Sequence, residues 1–384
     1  MKRRLLLLLM LVVLAWTGDA LAFTGGSRLS GPAPGVANRT PAGRVGAGNR
    51  FSCALRPDGF VRCWGRNTSG QLGDGTTIDR LTPVAVSGLA NAIDITVGIA
   101  HACAVLADGT VRCWGNNSQG RLGDGTTIDR TTPVAVTGLS GVVGVSSSFH
   151  NCALLNNGTV RCWGSNGIGQ LGDGTSTARP TPVQVVGLND VVSVSTGNSH
   201  TCAVRADGTA WCWGRNDFGH LGNGTTSPFE TTPQQVGGII NGVAITAGSE
   251  HACALLANGS VQCWGVNNAG QLGDGTQTNR SLPVAVGDLG TNAVAVSTGN
   301  GHSCALLADG SARCWGTNPQ GQLGNGTTTV RTTPVQVVNL ANAIAIGAGS
   351  GHTCALRRTE PPAAGATETK AGSATARRPT ERLP

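Results

Sequence analysis

Residues 101–139 read HACAVLADGTVRCWGNNSQGRLGDGTTIDRTTPVAVTGL, and near-copies of this stretch recur along most of the 384-residue chain. A Cys-Trp dipeptide marks each copy, and successive dipeptides lie 50, 49, 50, 51 and 51 residues apart. The dipeptides begin at Cys63, Cys113, Cys162, Cys212, Cys263 and Cys314. A fixed period of this length indicates a repeat architecture, in which each unit buries its apolar face against its neighbours.

Each copy contains four short segments of β-type composition. In the second copy an Asp-Gly turn at residues 108–109 joins two of them, and the segments are Ile93–Val97, His101–Leu106, Thr110–Trp114 and Pro133–Val136. Four strands in a unit of this size are typical of a propeller blade. A β-solenoid is the alternative architecture, but a turn of the Asp-Gly type in every copy favours antiparallel hairpins. We therefore predict an all-β propeller.

The array ends in an incomplete copy. A seventh copy begins at Ile344–Ile346 and continues through His352–Leu356, but no Cys-Trp dipeptide follows. The sequence thus predicts a propeller over residues 45–356 that is nominally seven-bladed, with six full repeats and an incomplete seventh. Residues 23–44 are a Gly/Pro/Ser-rich leader, and residues 357–384 have the composition of a disordered basic tail. The sequence leaves open whether the ring closes.

The first 22 residues have the three parts of a secretory signal peptide. A basic stretch at residues 2–4 precedes an apolar run at residues 5–16, and Ala-Leu-Ala at residues 20–22 supplies a cleavage site. The apolar run of 12 residues is short for a membrane span. We expect cleavage before Phe23, a secreted, periplasmic or cell-surface location, and no membrane span in the mature chain.

The formal charge of +7 is concentrated at the two ends of the chain. The first 22 residues contribute +2 and residues 357–384 contribute +3, which leaves +2 for the repeats. A nucleic-acid binder needs a concentrated basic stripe that neutralises phosphates. The repeats have no such stripe, so we expect no nucleic-acid partner.

Twelve of the 13 cysteines form six Cys-x9-Cys pairs. A three-residue loop at residues 57–59 would place Cys53 opposite Cys63, with the two Cα atoms about 4.5 Å apart, within the range of a disulfide. Export supplies an oxidising compartment, so we predict six disulfides rather than twelve buried thiols. The pairs are Cys53–Cys63, Cys103–Cys113, Cys152–Cys162, Cys202–Cys212, Cys253–Cys263 and Cys304–Cys314. The spacing disfavours zinc, and Cys354 is left as a free thiol or as a link to another chain.

The recurring strings His-x-Cys-Ala-Leu, Cys-Trp-Gly-x-Asn-x-x-Gly-Gln-Leu-Gly and Thr-Pro-Val resemble the repeat of the regulator of chromosome condensation (RCC1) family. The resemblance covers residues 45–356 and implies a seven-bladed β-propeller. The nuclear founder of the family exchanges guanine nucleotide on a small GTPase and binds chromatin, and an exported, nearly neutral chain is expected to do neither. The paired cysteines look more like exported bacterial members, and similar secreted β-lactamase inhibitors present loops of one face to an enzyme.

Residues that recur in every repeat are predicted to be structural. One position is histidine in six copies, at residues 101, 150, 200, 251, 302 and 352, but Phe51 occupies it in the first, so we assign it to packing. The repeated tryptophans are predicted blade core. Acids in the turns exchange with asparagine between copies, as Asp108 does with Asn157, which excludes a recurring catalytic carboxylate. We predict no catalytic residue, no metal site and no cofactor.

Departures from the repeat are the candidate binding residues, because the fold does not demand them. Aromatic residues and arginine are favoured at interface hot spots, although neutral drift in surface loops would produce departures as well. The candidates are Arg50, Phe149, Trp211, Phe218, His220, Phe229, Glu230 and Glu250. We predict a monomeric, non-catalytic binding or scaffold module that presents one propeller face to a protein or surface ligand. The alternatives are an extracellular enzyme acting on cell-wall glycan or protein, and a module of a longer surface protein.

Overall fold

The computed structural model describes residues 44–358 and a two-residue strand, β1 (Val13–Leu14). Apart from these residues, the predicted signal peptide, leader and tail lie outside the described part of the chain. Within residues 44–358 the chain is all-β except for one short 3₁₀ turn at Ser118–Gly120. The described repeats form the propeller that the sequence predicts, with six full blades and an incomplete seventh.

Each of the first six blades is a four-stranded antiparallel sheet whose strands pair in chain order. Blade 1 comprises β2 (Arg44–Ala47), β3 (Phe51–Leu55), β4 (Val61–Gly65) and β5 (Arg80–Ala85), and blade 2 comprises β6 (Ala92–Val97), β7 (His101–Leu106), β8 (Val111–Gly115) and β9 (Arg130–Ala135). Blade 3 comprises β10 (Val142–Ser147), β11 (His150–Leu155), β12 (Val160–Gly164) and β13 (Arg179–Gln184), and blade 4 comprises β14 (Val191–Thr196), β15 (His200–Arg205), β16 (Ala210–Arg215) and β17 (Phe229–Gln235). Blade 5 comprises β18 (Gly242–Ala247), β19 (His251–Leu256), β20 (Val261–Gly265) and β21 (Arg280–Ala285), and blade 6 comprises β22 (Ala293–Thr298), β23 (His302–Leu307), β24 (Ala312–Gly316) and β25 (Arg331–Gln336). Blade 7 is the hairpin of β26 (Ala343–Ala348) and β27 (Thr353–Arg357).

The ring is closed at its inner row. The first strand of each blade packs against the first strand of the next, and β26 of blade 7 packs against both β22 and β2. The open ring that the sequence allowed is therefore not formed. On its outer side β27 pairs in parallel with β1, through Ala355 and Leu356.

The hairpin between the second and third strands has the predicted register. In blade 1 the amide of Arg56 donates to Phe60, the amide of Gly59 donates back to Arg56, and Gly59 has a φ of +79°. This three-residue loop places Cys53 opposite Cys63. The same geometry recurs in the other full blades, and all six Cys-x9-Cys pairs form disulfides with Cα–Cα distances of 4.0–4.1 Å.

The core lies between adjacent blades rather than within them. In blade 2 the fully buried Trp114 donates from its indole Nε1 to the carbonyl of Gln71 in blade 1, at 3.0 Å. The indole also packs so closely on Gly73 that a Cβ at this glycine would lie 2.8 Å from it. The same contact joins each later pair of full blades, so each blade completes the core of the blade before it.

The outermost strand of blade 2 starts earlier than the sequence predicted. It begins at Arg130 instead of Pro133, because Arg130 pairs with Gly115 and binds Asp124 in the preceding loop. A proline lies within each outermost strand and removes an amide donor from the exposed edge, which opposes edge-to-edge association. These prolines are Pro83, Pro133, Pro182, Pro233, Pro283 and Pro334.

Candidate binding site between blades 4 and 5

The two ends of the ring differ in how they are built. The end that we call the hairpin face carries the Asp-Gly hairpins, such as residues 206–208 of blade 4. The opposite end, the loop face, carries the turns between first and second strands and the Gly-rich loops between third and fourth strands. In blade 4 these are residues 197–199 and residues 216–228.

A buried asparagine fixes the shape of each Gly-rich loop. In blade 4 the side chain of Asn216 donates to the carbonyl of Thr225 and accepts from the amide of Leu221. Both bonds lie within the loop, and Asn216 is fully buried. The loop is therefore a rigid support, and the residue before Leu221, which is His220, is held at the boundary with blade 5.

His220 forms a polar cluster with four neighbours that we call the blade 4–5 cluster. Its Nε2 lies 2.9 Å from Oε2 of Glu250 in blade 5, and its Nδ1 lies 3.6 Å from Oδ1 of Asp217. Arg215 donates to both carboxylates, at 2.7 Å to Asp217 and 3.0 Å to Glu250. The guanidinium also lies 5.7 Å from the ring centroid of Phe218. The cluster thus comprises Arg215, Asp217, Phe218, His220 and Glu250.

The charges of the cluster are largely satisfied internally. The hydrogen bond from Arg215 to Asp217 raises the pKa of Arg215. Partial burial raises the pKa of Asp217, but the hydrogen bond and charge of Arg215 outweigh it and leave the pKa below its ordinary value. At neutral pH both groups are charged, and Phe218, with 46% of its surface exposed, is the apolar element of the cluster. This arrangement suits binding, since an aromatic anchor is framed by fixed charges.

His200 lies directly behind the cluster and has no hydrogen-bond partner in the described residues. Its ring centroid is 5.6 Å from that of His220, and both of its ring nitrogens are buried and unpaired. Burial, and next the proximity of His220, hold the pKa of His200 well below its ordinary value. His200 is therefore neutral and contributes packing rather than charge.

We call the repeat position that is histidine in six copies the template histidine. Apart from His200, the template histidines link adjacent blades. Nε2 of His101 lies 2.8 Å from Asn151 Oδ1 of the next blade, and equivalent pairs join His150 to Thr201, His251 to Ser303, His302 to Thr353 and His352 to Ser52. At the equivalent position after His200 the next blade has Ala252, which offers no acceptor. The prediction assigned this position to packing alone, whereas five of its histidines also form these hydrogen bonds.

A second departure has the same geometry between blades 2 and 3. Arg121 occupies the position of His220, and its Nε donates to the carbonyl of Phe149 at 3.1 Å. Its guanidinium lies 5.1 Å from the centroid of the Phe149 ring. Burial lowers the pKa of Arg121. At both boundaries the contact joins the same two repeat positions. The first is the residue before the leucine of the Gly-rich loop, and the second is the residue before the template histidine of the next blade.

Two further candidates lie at the start of β17. Phe229 is paired in register with Arg215 at the start of β17, and 40% of its surface is exposed. The next residue, Glu230, accepts a hydrogen bond from Ser227 Oγ at 2.8 Å. Phe218, His220 and Glu250 therefore belong to the boundary of blades 4 and 5, and Phe229 adjoins it through Arg215. The backbone of Glu230 lies against Gly169 of blade 3 instead.

The remaining candidates lie elsewhere. Trp211 is near the hairpin end of β16, where it is half-buried against the blade 3–4 core and donates to Thr209 Oγ1. Arg50 lines a cavity of about 500 Å³ beside blade 7. Phe149 belongs to the boundary of blades 2 and 3. The structure thus separates Trp211 from the loop face with which the sequence had grouped it.

Three contributors to these boundaries were not among the predicted residues, namely Arg121, Arg215 and Asp217. Arg121 interrupts the Gly-Gln-Leu-Gly string as His220 does, so the same criterion would have found it. Asp217 is the only acid at its position among the six full repeats. Arg215 gave no such signal, because Arg66 occupies the same position in blade 1.

Among residues 44–358, no group of three or more His, Cys, Asp or Glu side chains is arranged to hold a metal ion. The described part of the chain also contains no helix long and apolar enough to cross a membrane.

Six four-stranded blades and a closing hairpin define a repeat β-propeller with an inter-blade polar site on its loop face. A model of the RCC1-like domain matches residues 26–287, and two models of the regulator of chromosome condensation (RCC1) repeat match residues 293–322 and 309–356. The chain therefore belongs to the RCC1 repeat family.

Curated relatives match part of the chain. Human E3 ubiquitin-protein ligase HERC2 is 33% identical over 100 residues, which cover 26% of this chain and 2% of that protein. Human probable E3 ubiquitin-protein ligase HERC3 is 34% identical over 114 residues, which cover 29% of this chain and 11% of that protein. The chain thus spans only a small part of these relatives.

Solved structures of similar fold cover most of the chain. Human WBSCR16 has a TM-score of 0.74 at 23% identity, over 82% of this chain and 86% of that one. Prp20p from Saccharomyces cerevisiae has a TM-score of 0.73 at 23% identity, over 82% of each chain, and its structure was described together with its binding to Gsp1p and histones. These likenesses establish the propeller fold.

Proposed function

We propose that this protein is an exported, non-catalytic binding module that presents the loop face of blades 4 and 5 to a protein partner. The observation that carries the proposal is the blade 4–5 cluster, in which the exposed ring of Phe218 lies beside the ion-paired Arg215. Phe229 extends the apolar surface from the adjacent strand. Aromatic residues and arginine supply most of the binding energy at protein interfaces.

The fold does not require these residues, which supports a role in binding. Four of the five other blade boundaries use glutamine in place of His220 and a small residue in place of Glu250, as in Gln170 with Ser199 and Gln271 with Gly301. These two boundaries keep the same tryptophan contact and the same strand register. Several substitutions at one boundary are therefore better accounted for by a ligand than by packing.

Export is supported by the cysteine chemistry. The six disulfides are typical of proteins outside the reducing cytosol. The signal-peptide pattern of residues 1–22 agrees with such a compartment. Prp20p, which is described as binding Gsp1p and histones, shows that a propeller of this fold can be a protein-binding module. The partner of this exported chain is expected to be a different protein.

The proposal is tested by replacing the two exposed rings. Phe218→Ala with Phe229→Ala should lower the capture of extracellular or surface proteins at least about tenfold, since hot-spot aromatics contribute about 2 kcal/mol or more each. The measurement is a pull-down with the exported chain, followed by titration of each identified protein against both chains. The matched control is Phe60→Ala, because Phe60 is 51% exposed but lies on the hairpin face.

Thermal unfolding of the double variant should stay close to that of the parent chain, because both rings are exposed. Equal capture by the parent and the double variant would rule out the blade 4–5 surface. Loss of capture in the Phe60 variant as well would place binding elsewhere on the ring.

A further inference from the structure

The strand β27 corresponds to the second strand of the other blades, which is interior there, but in blade 7 it lies at the edge of the hairpin. In blades 1 to 6 the second strand pairs on both sides, with the first strand and with an antiparallel third strand. Among the described residues, the second strand of blade 7, β27, pairs with β26 on one side and only with the two residues of β1, in parallel, on the other. No proline interrupts β27, unlike the outermost strands of the full blades. Its edge can therefore accept a further strand.

The surface beside β27 retains the shape that a third strand fills in other blades. At Gly73, Gly123, Gly172, Gly222 and Gly273 the tryptophan of the next blade packs within 2.7–2.8 Å of the Cβ position. At the equivalent Gly324 the described residues place only Val337, of the same blade, within 4 Å of the Cβ position. The carbonyl of Gln322, which corresponds to the tryptophan acceptors, takes a hydrogen bond from Thr353, as the carbonyl of Gln271 does from Ser303, but it takes none from a tryptophan of the described residues. A tryptophan side chain is thus accommodated at every full boundary but is absent here among the described residues.

A cavity of about 500 Å³ lies where the end of a third strand would pass. Its lining includes Gln322, Gly351 and His352. In blade 6 the glycine that follows the tryptophan, Gly316, packs on the corresponding residues Gln271, Gly301 and His302. The cavity therefore coincides with the position of the Cys-Trp-Gly glycine.

Cys354 occupies the position of the first cysteine of each disulfide. It lies opposite Gly347, as Cys304 lies opposite Ser297, and it is 4% exposed. In blade 6 the other neighbour of this position is Cys314 of the third strand. The thiol of Cys354 is free. An added third strand in the register of blade 6 would place its cysteine beside this thiol.

We propose that β27 is a docking edge for a strand of the type Val/Ala-x-Cys-Trp-Gly carried by a partner chain. The strand adds antiparallel to β27, places its tryptophan on Gly324 and Val337, and brings its cysteine next to Cys354. The exported chain is expected to lack β1, because its two residues belong to the predicted signal peptide. Backbone pairing supplies affinity, and the tryptophan and cysteine supply specificity.

The test uses a synthetic peptide that copies residues 308–318, ADGSARCWGTN, with its cysteine held as a mixed disulfide with 2-nitro-5-thiobenzoate. In the docked peptide the Cys354 thiolate attacks the peptide sulfur, a new disulfide forms, and the coloured thiobenzoate leaves with the electron pair. The full exported chain is used without alteration. Release of the chromophore gives the rate, and mass spectrometry of the digest locates the peptide on Cys354.

We expect this peptide to label Cys354 on the order of tenfold faster than the same peptide with tryptophan replaced by alanine. The chain with Cys354→Ser should release no chromophore. Equal rates for the two peptides would overturn the proposal, since they would reflect thiol reactivity without docking. Failure of both peptides to react with the folded chain would also overturn it, because the edge would then be occupied by this chain itself.

Discussion

At the scale of single residues, each template position is defined by its partner in the next blade. Each template histidine pairs with a side chain of the next blade, namely that of the residue directly after the template histidine there. His251, for example, pairs with Ser303, which follows His302. Where that residue is alanine, as Ala102 after Phe51, the first position is apolar. His200 followed by Ala252 is the exception to this pairing. The sequence contained both residues, but their relation is visible only when blades are set side by side.

The buried histidines make the propeller sensitive to acid. Burial lowers the pKa of His101 and His302 to about 4, and of His150 and His251 to about 3. Below pH 6.5 the unfolded chain binds protons at these groups while the folded chain does not. As the pH decreases from 6.5 to the folded pKa, the free energy of unfolding should therefore fall by up to about 1.4 kcal/mol per pH unit for each histidine.

Replacing His200 by phenylalanine should be tolerated, because Phe51 with Ala102 already provides that arrangement in blade 1. We expect the free energy of unfolding at pH 7 to be unchanged or higher. Toward pH 5 it should fall less steeply than in the parent chain, because unfolding of the variant takes up about one proton fewer. Urea unfolding at several pH values measures both. His251→Phe is the control, since it removes the bond to Ser303 and should cost about 1 kcal/mol. A larger loss for His200→Phe than for the control would contradict this account.

In the Gly-rich loops, each aspartate at the position where aspartate and asparagine exchange forms an ion pair with the arginine that begins the outermost strand, whereas the asparagines form none. Asp274 binds Arg280 at 2.9 Å, and equivalent pairs occur in blades 1 to 3. Burial raises the pKa of Asp274, but hydrogen bonds from Thr276 and Arg280 outweigh it and leave the pKa lowered. In blade 6 the residue is Asn325, and Nε of Arg331 is buried without a partner. These acids therefore stabilise the loop as well as turning the chain.

Asn325→Asp should form the missing ion pair with Arg331 and raise the free energy of unfolding by about 0.5–1 kcal/mol. The gain should be present at pH 7 and lost as the pH falls through the lowered pKa of the new carboxyl. Asn223→Asp is the matched control, because Glu230 takes the register position of the arginine in blade 4. Equal gains for the two variants in urea unfolding would show that the ion pair is not the cause.

At the scale of the element, the hairpin is the part that the sequence determines most fully. The Asp-Gly turn requires a positive φ at its glycine, and a loop of three residues then fixes which residues face each other. The register that follows places Cys103 opposite Cys113. The contacts between blades could not be predicted in this way, since Trp114 binds Gln71, 43 residues away, through the curvature of the ring.

Removing one disulfide should destabilise its blade without changing the fold. Cys103→Ala with Cys113→Ala should lower the free energy of unfolding by about 2–3 kcal/mol, because the closed loop is short. Guanidinium unfolding measures the change, with Cys354→Ala as the control that removes a thiol but no disulfide. An unchanged midpoint for the double variant would show that the cross-link does not stabilise the blade.

At the scale of the molecule, the repeat count was predictable but the closure of the ring and the composition of the site were not. Period and strand pattern are local, so six full units and a partial seventh could be counted in the sequence. Closure depends on the angle between blades, which brings β26 against β2. The blade 4–5 cluster joins residues up to 35 positions apart across a boundary, as Arg215 and Glu250 are. Trp211, which the sequence grouped with Phe218 and His220, lies toward the opposite face.

Each full blade of the propeller carries its own disulfide, and we propose that the chain is exported. The most direct test of these two statements is the intact mass of the exported protein before and after reduction, together with a thiol count. We predict a chain that begins at Phe23, is about 12 Da lighter when oxidised, and has one free thiol at Cys354. An unprocessed chain with 13 free thiols would contradict both the export and the disulfide framework.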